Sequence, residues 1–195
     1  GPDWHLDDVA CGLLGVYQPG NALVAAAAGR ALGADEPAIR AGLAGARWPG
    51  RFQILRRDPV VILDGAHNPA GARALAASLR AYFPGRPVTF VIGILADKDA
   101  GGILAALVPL AARIVLTASG NPRAVAPETL RALLPAGAAG VPVDVVPGPA
   151  SALARATDLA GTGIVCVAGS LSLIGNLLAA AGDGQDVLFT TGARC

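Results

Sequence analysis

Methionine is absent from all 195 residues, position 1 included, and lysine occurs once, at Lys98. Without an initiator, the chain reads as a piece of something longer or as a product whose Gly1-Pro2 start is a protease scar. The three cysteines, Cys11, Cys166 and Cys195, are odd in number and lack metal-ligand spacing. They argue against a disulfide scaffold and for a reducing compartment. Two histidines 62 residues apart offer no structural zinc centre. Charge is scarce, at 15 %, and balanced, with 15 basic and 14 acidic side chains giving a net +1. Such a chain has no electrostatic basis for gripping nucleic acid or an anionic membrane. Three motifs are missing as well. No Gly-x-x-x-x-Gly-Lys-Ser/Thr loop cradles a triphosphate, no dinucleotide fingerprint follows a strand, and no Gly-x-Ser-x-Gly elbow holds a nucleophile.

What is present is apolar. Hydrophobic residues make 53 % of the chain, enough burial to meet the entropy cost of folding and to exclude a disordered chain. The 26 glycines and 15 prolines imply frequent turns and short elements. Residues 159–182 carry no charge and match the length of a membrane span. Their pattern divides, however, into a β-branched run (Ile164 to Ala168), a Gly169-Ser170 turn and a Leu/Ala segment, as a buried strand and covering helix would. Asp3, Asp7 and Asp8 are the wrong flank for a secretory signal. A cytoplasmic protein without a membrane span is expected.

The first fifty residues contain no convincing strand. Ala22 to Leu32 reads as a helix with Asn21 as its cap, and Glu36 to Leu43 as a second helix with Pro37 in its first turn. From Arg51 the rhythm becomes strand, turn, helix. Strands are expected at Phe52 to Leu55, Val60 to Leu63, Val88 to Ile92, Ile114 to Thr117, Val143 to Val146 and Ile164 to Ala168. The first two, joined by Arg56-Arg57-Asp58-Pro59, suit an antiparallel hairpin. Helices follow from Asn68-Pro69 to about Phe83, near Gly102 to Leu107, from Pro127-Glu128, after Pro149, and over Leu171 to Ala180. Ala72, Leu75, Ala76 and Leu79 form one apolar stripe on the first of these. Val187 to Phe189 is a stray edge strand or a tail. The expected fold is α/β, a Rossmann-like, mostly parallel six-stranded sheet with helices on both faces, preceded by a short helical segment.

In such folds ligands collect beyond the carboxyl ends of strands, at helix N-termini. Asp64-Gly65-Ala66-His67-Asn68-Pro69 lies there, directly after Val60 to Leu63. Asp64 can accept two hydroxyl hydrogen bonds, as from a ribose, while His67 or Asn68 can bond to or stack on a base. The same residues also fit a plainer role, with Asp64 and Asn68 satisfying turn and cap and His67 merely exposed. Lys98, between Asp97 and Asp99, suits either a substrate carboxylate or phosphate, or a surface salt bridge. Arg123, in Asn121-Pro122-Arg123-Ala124, faces the same cleft or solvent. Gly169-Ser170 ends the last strand, where close packing alone accounts for the glycine. Trp48-Pro49-Gly50-Arg51-Phe52 marks a restricted joint at the composition shift, with Arg51 placed to reach a ligand shared across it and Trp48 suited to cap the helical region.

Ile62-Leu63-Asp64-Gly65-Ala66-His67-Asn68-Pro69 closely resembles the signature of bifunctional dihydrofolate synthase/folylpolyglutamate synthase, a Mur-ligase-like family. Gly15-Val16-Tyr17-Gln18 through Asn21-Ala22 resembles the late helix of that family's central ATPase domain, and Trp48 to Phe52 its interdomain linker. Asp97-Lys98-Asp99, Pro122-Arg123-Ala124 and Gly169-Ser170-Leu171 resemble three further motifs, the last with Ser172 where an aromatic residue is usual. The resemblance implies that residues 1–49 are the helical end of the ATPase domain and 50–195 the carboxyl-terminal ligase domain. The amino-terminal portion, with the P-loop and most magnesium ligands, lies outside the chain. Such enzymes activate a dihydropteroate or folate carboxylate as an acyl phosphate with Mg-ATP, and the amine of L-glutamate then displaces phosphate. By position, Arg51 and His67 would serve the chemistry. Arg51, Asp64, His67 and Asn68 would hold the nucleotide, and Lys98, Arg123 and Ser170 the glutamate side. None of them would bind metal. The fragment alone is expected to be inactive. A non-catalytic nucleotide- or partner-binding module of the same fold and a Mur-type peptidoglycan amino-acid ligase are the alternatives.

Overall fold

The computed structural model describes residues 4–181 and the short strand Ala193–Arg194. Val187 to Phe189 lies outside the described residues. In chain order the strands are β1 (Ala10–Cys11), β2 (Gln53–Arg57), β3 (Val60–Leu63), β4 (Val88–Ile92), β5 (Ala111–Leu116), β6 (Val143–Val145), β7 (Ile164–Ala168) and β8 (Ala193–Arg194). The helices are α1 (Gln18–Ala31), α2 (Glu36–Gly45), α3 (Pro69–Tyr82), α4 (Ala100–Leu107), α5 (Pro127–Ala132), α6 (Pro149–Leu159) and α7 (Leu171–Ala181). Strands β2 to β7 form one six-stranded sheet in the order β2-β3-β7-β4-β5-β6, parallel throughout except for the β2–β3 hairpin. This is the mostly parallel sheet that the strand-helix rhythm implied. The first fifty residues do contribute one strand, the two-residue β1, which pairs antiparallel with β8.

Alternation along each strand sorts the core into two layers. Ile62, Phe90, Ile92, Ile114 and Cys166 point to one face, where α3, α4 and α5 deliver Leu75, Leu79, Ile103, Leu104 and Leu130. Val61, Leu63, Val91, Val115 and Val167 point to the other, against Ala152 and Ala156 of α6 and Leu173, Ile174 and Leu177 of α7. Leu75 and Leu79 are each 1 % exposed, and burial of that completeness stabilises by about 1.5–3 kcal/mol per side chain. No helix among the described residues is long and apolar enough to cross a membrane. The uncharged 159–182 stretch supplies β7, its turn and α7 instead.

Element ends moved where local chemistry competed. Helix α1 starts at Gln18, so Pro19 occupies its first turn, where a missing N–H costs nothing. Asn21 is consequently not the cap; its amide donates to Gln18 Oε1 at 2.9 Å within that turn. Strand β2 runs on through Arg57 with a register irregularity between Ile54 and Arg56, which shortens the hairpin turn to Asp58-Pro59. Helix α4 begins at Ala100 because the Asp99 carboxylate accepts from Gly102 N at 2.8 Å.

Candidate functional site

The exit of β3 is clamped before any ligand is considered. Asp64 N donates to Val167 O of β7 at 3.0 Å, and Gly65 N donates to Gly50 O of the preceding joint at 2.7 Å. The Asp64 carboxylate is 4 % exposed. Its Oδ2 accepts from Phe52 N at 2.9 Å and its Oδ1 from Ala66 N at 2.8 Å. Asp64 therefore staples the joint to the β3–α3 turn. Burial pushes its carboxyl above the ordinary value, against the opposing pull of those two N–H groups and of Arg51 and His67.

The joint has an unusual backbone. Gly50 (φ +71) and Phe52 (φ +44) both adopt left-handed conformations, and Phe52 is a bulky residue for that region. It is held there by the Asp64 bond and by its ring, buried at 5.4 Å from Tyr82 and 6.5 Å from Phe83. Arg51, between them, is turned outward. No hydrogen bond or ion pair among the described residues engages its guanidinium, which lies over Gly65: a Cβ there would sit 3.0 Å from Arg51 Nη1 and collide with Leu171. Gly65 is glycine for lack of room.

Arg51, Asp64, His67 and Asn68 together line a cleft of about 370 Å³, with Gly65, Ala66, Ala70, Gly71 and Ala74 of the α3 entry. His67 Nδ1 lies 2.8 Å from Gly65 O, which can only accept, so in the neutral ring the proton sits on Nδ1 and Nε2 is left as an acceptor. Asn68 caps α3, its Oδ1 accepting from Gly71 N at 2.8 Å. A free guanidinium above a helix N-terminus is an environment for an anion, phosphate above all. Among the described residues no three His, Cys, Asp or Glu side chains gather as a metal site.

The remaining candidates are elsewhere. Lys98 Nζ lies 2.9 Å from Asp97 Oδ2 and Arg123 Nη1 3.3 Å from Asp97 Oδ1, so one exposed carboxylate joins the loops after β4 and β5. The Lys98 bond, chiefly, holds the Asp97 carboxyl below its ordinary value. Neither cation lines the cleft. Ser170 is 1 % exposed, and its Oγ accepts from Ser172 N at 3.0 Å, closing the first turn of α7. Gly169 before it (φ +104) passes so close to Gly93 that a Cβ would meet Gly93 O at 2.8 Å.

Among the lining residues that the sequence did not single out as ligand contacts, the one with a polar side chain is Tyr17, from the entry to α1. The segment before it is bonded to α3, with Val16 N donating to Ser78 Oγ at 3.2 Å and Gly15 N to Tyr82 Oη at 3.5 Å. The fully buried serine in the apolar stripe of α3 was the available signal. Its hydroxyl donates to Ala74 O at 2.8 Å within α3 and leaves its oxygen to accept from Val16 N of the first segment.

Comparison with known proteins gives a consistent answer. A dihydrofolate synthase/folylpolyglutamate synthase of Mycobacterium tuberculosis is 43 % identical over 130 residues, 63 % of this chain and 27 % of that protein. A solved folylpolyglutamate synthase of the same organism, complexed with ADP and AMPPCP, superposes with a TM-score of 0.81 at 34 % identity, covering 89 % of this chain and 42 % of that one. An Escherichia coli FolC in complex with DHPP and ADP gives a TM-score of 0.77 at 36 % identity, over 87 % and 40 % of the two chains. A UDP-N-acetylmuramoyl-L-alanyl-D-glutamate–2,6-diaminopimelate ligase of Alkalilimnicola ehrlichii is 37 % identical over 86 % of this chain and 34 % of that protein. The chain thus spans well under half the length of these relatives. Residues 50–171 match the family described as Mur ligase, glutamate ligase domain. By that match over more than half its length, the chain belongs to the Mur ligase glutamate-ligase-domain family.

Proposed function

We propose that this chain is the carboxyl-terminal part of an ATP-dependent ligase that adds L-glutamate to dihydropteroate or folates. The observation that carries the reading is the cleft: Arg51, without a hydrogen-bond or ion-pair partner among the described residues, lines one space with the α3 entry, His67 and the stapled Asp64. Its contents suit a nucleotide, with Arg51 and the helix N-terminus toward phosphates and the remaining Asp64 lone pairs toward a ribose. Relatives solved with ADP support it, and two with dihydrofolate and folylpolyglutamate activities in their names favour folate over peptidoglycan substrates.

In this reading a substrate carboxylate oxygen attacks the γ-phosphorus of ATP, ADP leaves, and an acyl phosphate results. The amine of glutamate then attacks the acyl carbon, phosphate departs, and the amine proton goes to solvent or a nearby base. The chain supplies positioning and charge rather than a nucleophile. Arg51 would steady the phosphates with His67 beside them, while Lys98 and Arg123, bridged by Asp97 outside the cleft, would serve the glutamate side; Ser170 would act there through its cap on α7. The family resemblance assigns most magnesium ligands to the amino-terminal portion of the parent, so the ion would be held there and by the triphosphate. Residues 1–49 would be the helical end of the ATPase domain and 50–195 the ligase domain, in a cytoplasmic enzyme.

Helix α1 supports the need for that amino-terminal portion. Leu23 and Val24 are 62 % and 69 % exposed on a helix with no charge before Arg30, an apolar face of the kind that protein partners cover. The test is calorimetric titration of the chain with Mg-ATP, alone and after adding the amino-terminal portion, followed by assay of ADP formation from ATP, dihydropteroate and glutamate. Turnover only in the combined sample is the expected result. Tight triphosphate binding by the chain alone would refute its insufficiency, and a folded, inactive complex would refute the activity.

A further inference from the structure

The geometry points to Tyr17 as a ligand-contacting residue of the cleft, its phenol donating a hydrogen bond to an anionic oxygen of the bound nucleotide beside Arg51. This rests on the nucleotide reading and adds to it a residue from outside the 50–171 family match. Three observations carry it. Tyr17 lines the same space as Arg51, Asp64 and His67, although it belongs to the chain's first helical segment. Its place is built: the two backbone bonds to Ser78 and Tyr82 fix the strand of chain before it on α3, and Leu14 packs against the sheet core. The Gly15 backbone (φ +130) leaves no room for a side chain, since a Cβ would come to 2.9 Å of the Tyr17 ring.

The hydroxyl is also left available. It makes no hydrogen bond among the described residues, while Asp64 and Arg51 are both near enough to act on it electrostatically. Burial first, and Asp64 second, push the phenol up to about 12, so it remains a proton donor throughout the working range of any enzyme. A neutral donor lining the same cleft as a guanidinium and a helix N-terminus suits an anionic oxygen. The cleft is thus assembled from two segments far apart in sequence, and ligand binding would tie the first to the second.

The chain contains two tyrosines and two histidines, which makes ring-labelled NMR decisive. The full chain, carbon-13 labelled at tyrosine and histidine, is titrated with ADP, adenosine and inorganic pyrophosphate up to tens of millimolar. Tyr17 and His67 signals should move along one saturation curve with ADP, while His5, in a different groove, stays still. Tyr17→Phe, which keeps the ring and removes the hydroxyl, should weaken ADP and pyrophosphate about ten-fold and change adenosine by less than about two-fold. If His67 moves and Tyr17 does not, or if Tyr17→Phe binds ADP as well as the parent chain, the Tyr17 assignment is wrong and the nucleotide reading stands. If neither ring responds to ADP, either in the chain alone or after the amino-terminal portion is added, the nucleotide reading falls and takes the assignment with it.

Discussion

At the scale of single residues, Arg51 and Asp64 do opposite kinds of work from neighbouring positions. Arg51 has no hydrogen-bond or ion-pair partner among the described residues, so Arg51→Ala should change unfolding free energy by no more than about 0.5 kcal/mol while lowering ADP affinity at least about ten-fold. Urea unfolding and ADP titration of the same samples separate the two. Asp64 is already spent on two backbone N–H groups, and its effect should be seen in stability. Its carboxyl is raised by burial above the ordinary 3.8, so the folded chain holds that proton more tightly than the unfolded chain. The corresponding stability is complete below 3.8 and is lost as pH rises toward the raised value. Unfolding measured across that window should show the native chain losing ground to Asp64→Asn with rising pH and holding level above it. A difference that instead grows with pH would contradict the direction of the shift.

At the scale of elements, the plainer reading of the β3–α3 turn holds, and the ligand-binding reading of the same residues is our proposal. Asn68 caps α3 and also stands at the cleft. Asn68→Ala should cost about 1 kcal/mol of stability through the lost cap. Asn68→Asp should keep the cap and the melting temperature, since a carboxylate caps equally well and suits the helix dipole. It nevertheless places a negative charge where the proposed nucleotide phosphates would lie, and should weaken ADP several-fold. Thermal melts beside ADP titrations give the pair of results. The cap was legible from Asn68-Pro69 alone, because capping is a local bargain between a side chain and the next turn. The start of α1 was misread for the same local reason: Pro19-Gly20-Asn21 has turn composition, yet proline and glycine in a first turn forfeit little.

For the whole molecule, the outward face of α1 is the feature most at odds with an isolated chain. Leu23→Glu with Val24→Glu should leave the melting temperature within a few degrees, because neither side chain is buried. The same pair should abolish association with the amino-terminal portion of the proposed parent ligase, followed by sedimentation. Retained association would move the docking surface elsewhere.

The sheet and its two helical layers could be read from composition and periodicity, since alternation of apolar residues and strand-helix spacing are properties of neighbours along the chain. So could the turn carrying Asp64, His67 and Asn68. Local sequence left Arg51 and Lys98 equally eligible for one cleft. Only the tertiary structure separated them, by stapling the 50–52 joint to Asp64 and by neutralising Lys98 against Asp97. The segment that brings Tyr17 to the cleft is held by Gly15 and Val16 bonds to Tyr82 and Ser78, more than sixty residues away. Pattern sets which face of an element is apolar; which polar groups meet in space is decided when distant segments pack, and no neighbour in the sequence carries that information.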